Sequence, residues 1–101
     1  MTDPGDGCPC RVRADLSAPG VSPERIERSF LVPVERRLMF VEGVTSITAV
    51  ASGGSGRLEV HMEPFADPAT VLAKVEEAVR RITPLLPEKA RALVQLVDED
   101  A

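Results

Sequence analysis

The chain has 101 residues, of which 44% are hydrophobic and 28% are charged, and its formal net charge is −4. This size and composition fit one small globular domain, and the negative charge argues against nucleic acid as a partner. Three Phe and no Tyr or Trp predict an aliphatic core and remove the stacking platform on which single-strand nucleic-acid binders rely.

The two ends of the chain differ in composition from its middle. Residues 1–9 are rich in Gly, Pro and Asp, which predicts a flexible N-terminal tail, and residues 98–101 predict a solvated acidic tail. The start lacks the features of a signal peptide, and no apolar run approaches the roughly 20 residues that span a bilayer. As written, the sequence therefore predicts a cytoplasmic protein without direct membrane insertion.

The first half of the chain predicts a strand followed by an unusual helix. Apolar and polar residues alternate from Cys10 to Leu16, as in a half-buried strand. After a Pro-Gly turn, Ser22 is a suitable N-cap and Pro23 a suitable first helical residue. Pro33 lies deep inside this helix, where it removes a backbone hydrogen bond and is expected to cause a kink. The apolar stripe of the helix consists of Ile26, Phe30, Val34, Leu38 and Val41.

Two strands and a second helix follow. Gly43 ends the first helix, the β-branched segment 44–52 predicts a strand, and residues 53–56 predict a hairpin loop before a third strand. Asp67 is expected to cap the second helix, with Pro68 at its first position. The buried stripe of that helix is predicted at Val71, Val75, Ala78, Val79, Ile82 and Leu86.

A last strand from Leu93 to Val97 completes the order β-α-β-β-α-β. With right-handed crossovers, this order predicts an α+β, ferredoxin-like sandwich in which a four-stranded antiparallel sheet carries two helices on one face. The single domain is expected to span residues 10–97.

Several short motifs resemble the first porter subdomain of resistance-nodulation-division (RND) efflux transporters, over about Val12 to Val97. They are Pro19-Gly20 with Ser22-Pro23-Glu24 and Glu27, then Val32-Pro33-Val34-Glu35, Glu42-Gly43-Val44, Phe65-Ala66-Asp67-Pro68 and Pro84-Leu85-Leu86-Pro87. One departure is Ala18, since the family usually has an aromatic residue before the Pro-Gly. The resemblance implies the same split β-α-β fold, in a free-standing or excised porter subdomain that would be periplasmic if excised.

The resemblance also implies a function through contacts rather than chemistry. In the family, the first helix packs near the threefold axis of a trimeric pump, and the proton-relay charges lie in membrane helices. The chain is therefore expected to be non-enzymatic, to be incapable of transport alone, and to associate with itself or with other transporter subdomains. The residues expected at this contact are Pro33, Arg36, Arg37, Met39 and Phe40.

The segment Cys8-Pro9-Cys10 supports an alternative function. Two thiols one residue apart suit a soft metal such as Cu(I) or Zn(II), or a dithiol–disulfide cycle. However, ferredoxin-like metallochaperones carry their cysteines in a C-x-x-C loop after the first strand, where this chain has Ser17-Ala18-Pro19-Gly20. Inert thiols are the default interpretation, and a small metal-binding or metal-delivery protein using Cys8 and Cys10 is the alternative.

The remaining candidates for chemistry are weak. His61 is the only histidine and is expected to face solvent on the third strand. The glycines of 53–56 join two strands, whereas a phosphate-binding loop leads from a strand into a helix. No nucleophile–base pair emerges, so no enzyme activity and no cofactor are predicted. A ligand-sensing regulatory module is a further alternative, although no residue selects a ligand.

Overall fold

The computed structural model describes residues 10–98. Helix α1 consists of three consecutive segments, an α-helical, a π-helical and a second α-helical one. Helix α2 is regular and is followed by a short 3₁₀ turn. The elements are β1 (Cys10–Ser17), α1 (Pro23–Ile26, Glu27–Leu31 and Val32–Leu38), β2 (Val44–Ser52), β3 (Ser55–Met62), α2 (Pro68–Ile82), the 3₁₀ turn (Thr83–Leu85) and β4 (Arg91–Asp98).

The four strands form one antiparallel sheet in the order β2-β3-β1-β4. Helix α1 packs on β2 and β3, helix α2 packs on β1 and β4, and the two helices contact each other. The side chains of β1 alternate between buried and half-buried positions, because one face of the sheet meets the helices and the other is open. The α+β, ferredoxin-like sandwich predicted from the sequence is confirmed.

Helix α1 accommodates Pro33 through a π-helical turn. A proline at this position cannot donate a backbone hydrogen bond, and its ring conflicts with the carbonyl one turn earlier. The helix widens just before it, where the Val32 N–H donates to the Glu27 carbonyl, five residues back. Because this turn holds an extra residue, the adjacent side chains Phe30 and Leu31 are both buried. The predicted stripe contained Phe30 but missed Leu31.

Both predicted N-caps are present. The Ser22 hydroxyl accepts a hydrogen bond of 3.2 Å from the Arg25 N–H at the start of α1. The Asp67 carboxylate accepts from the Ala69 N–H at 3.3 Å and from the Thr70 hydroxyl at 2.7 Å at the start of α2. Each cap satisfies N–H groups that have no partner within the helix. Pro23 and Pro68 follow directly, as expected.

The hairpin between β2 and β3 is tighter than predicted. The loop contains only Gly53 and Gly54, and Gly54 has a φ of +79°. Its carbonyl accepts from the Ala18 N–H at 2.8 Å, and its N–H donates to the Val21 carbonyl at 2.9 Å. Gly56, predicted in the loop, belongs to β3 and lies beneath α1, where a Cβ atom would be 2.8 Å from Ile26 Cγ2. A glycine is therefore required at position 56 for close packing and not for the turn.

The last strand is longer than predicted. It begins at Arg91 and pairs with β1 without interruption up to Asp98, a residue that the sequence placed in the acidic tail. Main-chain pairing with β1 extends the strand, because Asp98 lies opposite Cys10 in the register. The helix α2 stripe predicted from the sequence is buried at every position.

Candidate protein-interaction surfaces

The first candidate surface lies at the C-terminal end of α1. The helix ends at Leu38, its last buried residue, and Met39 and Phe40 follow in the turn. Their side chains are 62% and 91% exposed. The sequence analysis named both residues, and the structure places both outside the core. We call Arg36, Arg37, Met39 and Phe40 the helix-end surface.

This surface is continuous with Pro33. Residues three and four positions apart share one side of a helix, so Pro33 lies on the same side of α1 as Arg36 and Arg37, and Phe40 follows in the turn after the helix. Pro33 is half-buried, whereas Arg36 and Arg37 are exposed. Of the interaction residues that the sequence analysis named, Pro33, Arg36 and Arg37 therefore lie on one side of α1.

A groove of about 280 Å³ separates the helix-end surface from α2. Arg36, Arg37 and Phe40 line one side, and Lys74 and Glu77 of α2 line the other. Three cations and one carboxylate line this groove, which makes it electropositive. An exposed aromatic side chain beside arginines is a combination enriched at protein interfaces.

The open face of the sheet carries a network of ion pairs. Arg11 Nε donates to Glu59 Oε2 at 2.8 Å, and Arg57 Nε donates to Asp15 Oδ1 at 2.8 Å. Arg13 Nε lies 3.4 Å from the other Asp15 oxygen without making a hydrogen bond, although that nitrogen is buried. Alternate charges on β1 and β3 were visible in the sequence, but pairing them required the strand register.

The same network sets two pKa values. The hydrogen bond from Arg11, together with the Arg11 charge, lowers the pKa of Glu59 against an opposing effect of burial. The hydrogen bond to Asp15 raises the pKa of Arg57, whose side chain is largely exposed. His61 lies opposite Arg11 in the register, on the open face of the sheet as the sequence predicted, and its side chain is half-buried.

The lowered pKa of Glu59 predicts a pH dependence of stability. A carboxylate with a depressed folded-state pKa stabilises the fold at pH values above its unfolded pKa, and this contribution disappears as the pH falls through the folded value. For a partly exposed pair the contribution is at most about 1 kcal/mol. We expect Glu59→Gln and Arg11→Gln each to reduce the loss of stability on acidification, measured by urea unfolding. If the free energy of unfolding fell equally with pH in the wild type and in both variants, the Arg11–Glu59 pair would not be the cause of the pH dependence.

The proposed metal ligands are only partly described. Cys10 is buried at the start of β1, and its sulfur is in a disulfide, whereas Cys8 lies outside the described residues. A soft metal requires thiolates, so metal binding through Cys8 and Cys10 stays a prediction for the reduced protein. Between residues 10 and 98, no group of three or more His, Cys, Asp or Glu side chains could hold a metal ion.

A second candidate surface, which the sequence analysis missed, is the outer edge of β4. Leu93 is 59% exposed and Leu96 is also exposed, although both belong to a strand of the central sheet. A groove of about 780 Å³ runs between this strand and the end of α2, with Val79, Leu86 and Val94 among its lining residues. The available signal was the uncharged run 92–97, which the sequence analysis assigned only to a strand.

The fold is that of a small α+β module of the ferredoxin-like kind. Within the described residues, none of the helices has the length and apolar character to cross a membrane. The model of the AcrB/AcrD/AcrF family matches residues 7–100. The chain therefore belongs to this family of RND transporters, which is a family of transporters rather than enzymes. No curated protein matches the chain.

Proposed function

We propose that the chain is a porter-type module of an RND transporter that acts through protein–protein contacts and performs no chemistry of its own. Membership of the AcrB/AcrD/AcrF family and the ferredoxin-like fold support this function. The observation that carries it is the helix-end surface, where Phe40 is almost fully exposed beside Arg36 and Arg37.

The contact proposed here is between the α1 helices of neighbouring copies. An aromatic side chain that remains in water in one copy loses that exposed area when a partner covers it, which favours association. Pro33 and the π-helical turn before it fix the course of the helix that presents this surface. By the resemblance to the first porter subdomain, such a contact lies near a threefold axis in the periplasm, and transport depends on other parts of the pump.

The test measures self-association of single-residue variants by sedimentation velocity. We expect Phe40→Asp to weaken association at least tenfold, because it places a charge in an apolar contact. The matched control is Phe65→Asp, since Phe65 is 79% exposed in the loop before α2, outside this surface. Pro33→Ala is expected to change association more than it changes the free energy of unfolding.

Two results would overturn the proposed function. The first is a wild-type chain that remains monomeric across a concentration series. The second is equal association of the wild type, Phe40→Asp and Pro33→Ala, with circular dichroism confirming that all three are folded.

A further inference from the structure

The two edges of the sheet differ in how well they are protected from pairing. An edge strand exposes unpaired N–H and C=O groups, and proteins usually blunt it with charges, proline or a bulge. Strand β2 at one edge has an irregular register between Val44 and Ser46 and is rich in serine and threonine. Strand β4 at the other edge pairs with β1 in an unbroken register.

Strand β4 lacks these protective features. Its sequence, Arg91-Ala92-Leu93-Val94-Gln95-Leu96-Val97-Asp98, has charges only at its two ends and contains no proline. Alternate residues lie on opposite faces, so Leu93 and Val97 lie on the open face, and Val94 and Leu96 lie on the helix face. Apolar side chains therefore border the free edge on both faces.

We propose that β4 pairs antiparallel with β4 of a second copy of this chain, about a twofold axis at Gln95. The axis is perpendicular to the sheet, so the helices of both copies lie on the same side of a continuous eight-stranded sheet. Directly opposed residues in an antiparallel pair point to the same face, which requires odd-numbered residues to meet odd-numbered ones.

The side chains favour the register centred on Gln95. Leu93 then lies opposite Val97 on the open face, Val94 lies opposite Leu96 on the helix face, and the two Gln95 side chains can hydrogen-bond across the axis. In the register centred on Val94, the open-face pairs are Leu93 with Gln95 and Arg91 with Val97, and each joins an apolar with a polar side chain. The helix-face pairs of that register, Val94 with Val94 and Ala92 with Leu96, remain apolar. The register centred on Gln95 therefore matches apolar with apolar side chains on both faces at the centre of the strand, which favours a second copy as the occupant.

The groove beside β4 is compatible with this pairing. Its lining includes Val79, Leu86 and Val94, and a paired strand would cover the side of the groove next to the sheet edge. Its charged residues are balanced, with Glu76 and Glu88 against Arg80 and Arg91. Two copies of this groove can approach each other without an excess of one charge.

The experiment combines charge substitutions with a cross-link. We expect Leu93→Lys and Leu96→Lys each to weaken dimerisation at least tenfold in sedimentation equilibrium, because a lysine at an edge opposes pairing. Val50→Lys is the matched control, since Val50 is 64% exposed on the other edge strand. In a chain with Cys8 and Cys10 replaced by alanine, Gln95→Cys is expected to form an intermolecular disulfide, and Val94→Cys is not.

The outcomes separate this inference from the proposed function. Loss of dimers in Leu93→Lys but not in Val50→Lys or Phe40→Asp supports pairing at β4. A monomeric wild type, or dimers that Leu93→Lys and Leu96→Lys leave intact, would overturn it, even if a strand of another protein binds this edge. A cross-link through Val94→Cys in place of Gln95→Cys would overturn the register. Association that depends on Phe40 alone supports the proposed function and not this inference.

Discussion

Phe30→Ala is expected to lower the free energy of unfolding by about 3 to 5 kcal/mol, the usual cost of deleting a fully buried aromatic side chain. Phe30 is 0% exposed and belongs to the π-helical segment of α1. It is the only phenylalanine in the core of the described residues, which is otherwise aliphatic. The cavity left behind cannot easily close, because close-packed neighbours on the sheet and on α1 relax only partially. Urea unfolding followed by circular dichroism measures the change.

The matched control lies ten residues along the chain. Phe40→Ala removes the same side chain from a position that is 91% exposed, so the free energy of unfolding should change by less than about 0.5 kcal/mol. A domain of this size has a total stability of roughly 5 to 15 kcal/mol, so Phe30→Ala would remove a large share of it. Equal effects of the two substitutions would contradict the packing described for α1.

Regular periodicity made most of the fold predictable. Strand β1 alternates between apolar and polar residues, and the apolar residues of α2 recur every three to four residues. The sequence of each element therefore identifies its buried face. The caps at Ser22 and Asp67 are short-range features that depend on local sequence alone. These signals determined the number, type and order of the elements before any long-range contact was known.

The features that escaped prediction depend on contacts between distant residues. Burial of Leu31 follows from the π-helical turn, whose position cannot be found from a 3.6-residue period. Glycine is typical of loops, so the sequence placed Gly56 in the hairpin loop. Its actual role is to leave room for the Ile26 side chain, which packs against it. The partners of Asp15 and Glu59 on the open face required the register between β1 and β3.

The candidate site shows the same division. Phe40 and the arginines before it were named from the resemblance to the porter subdomain, and the structure shows that their side chains are exposed. The β4 edge could not be found from sequence, because an edge strand is distinguished from a central one only by its neighbours in the sheet. The two surfaces belong to different parts of the molecule, since α1 packs on β2 and β3 while β4 lies at the opposite edge.

Gly43→Ala is expected to destabilise the chain by about 2 to 4 kcal/mol, from two separate causes. The φ of Gly43 is +93°, a conformation that a residue with a Cβ atom rarely adopts. A Cβ atom there would also be 2.7 Å from the Ala66 Cβ, in the loop before α2. The position cannot shift freely, because the Gly43 carbonyl accepts a 2.8 Å hydrogen bond from the Glu63 N–H.

A double-mutant cycle with Ala66→Gly can separate the two causes. Removing the Ala66 Cβ relieves the collision but leaves the backbone strain, so Gly43→Ala should cost about 1 to 2 kcal/mol in that background. Gly53→Ala is the control for a glycine in a turn, since its φ is not positive and no atom lies within 4 Å of the added Cβ. If urea unfolding gave Gly43→Ala the same cost in the wild-type and Ala66→Gly backgrounds, the collision would contribute nothing. If Gly53→Ala lowered the free energy of unfolding as much as Gly43→Ala, the positive φ and the close contact of Gly43 would not explain its cost. The expected pattern instead makes this glycine the point where the end of α1, the start of β2 and the loop before α2 are held together.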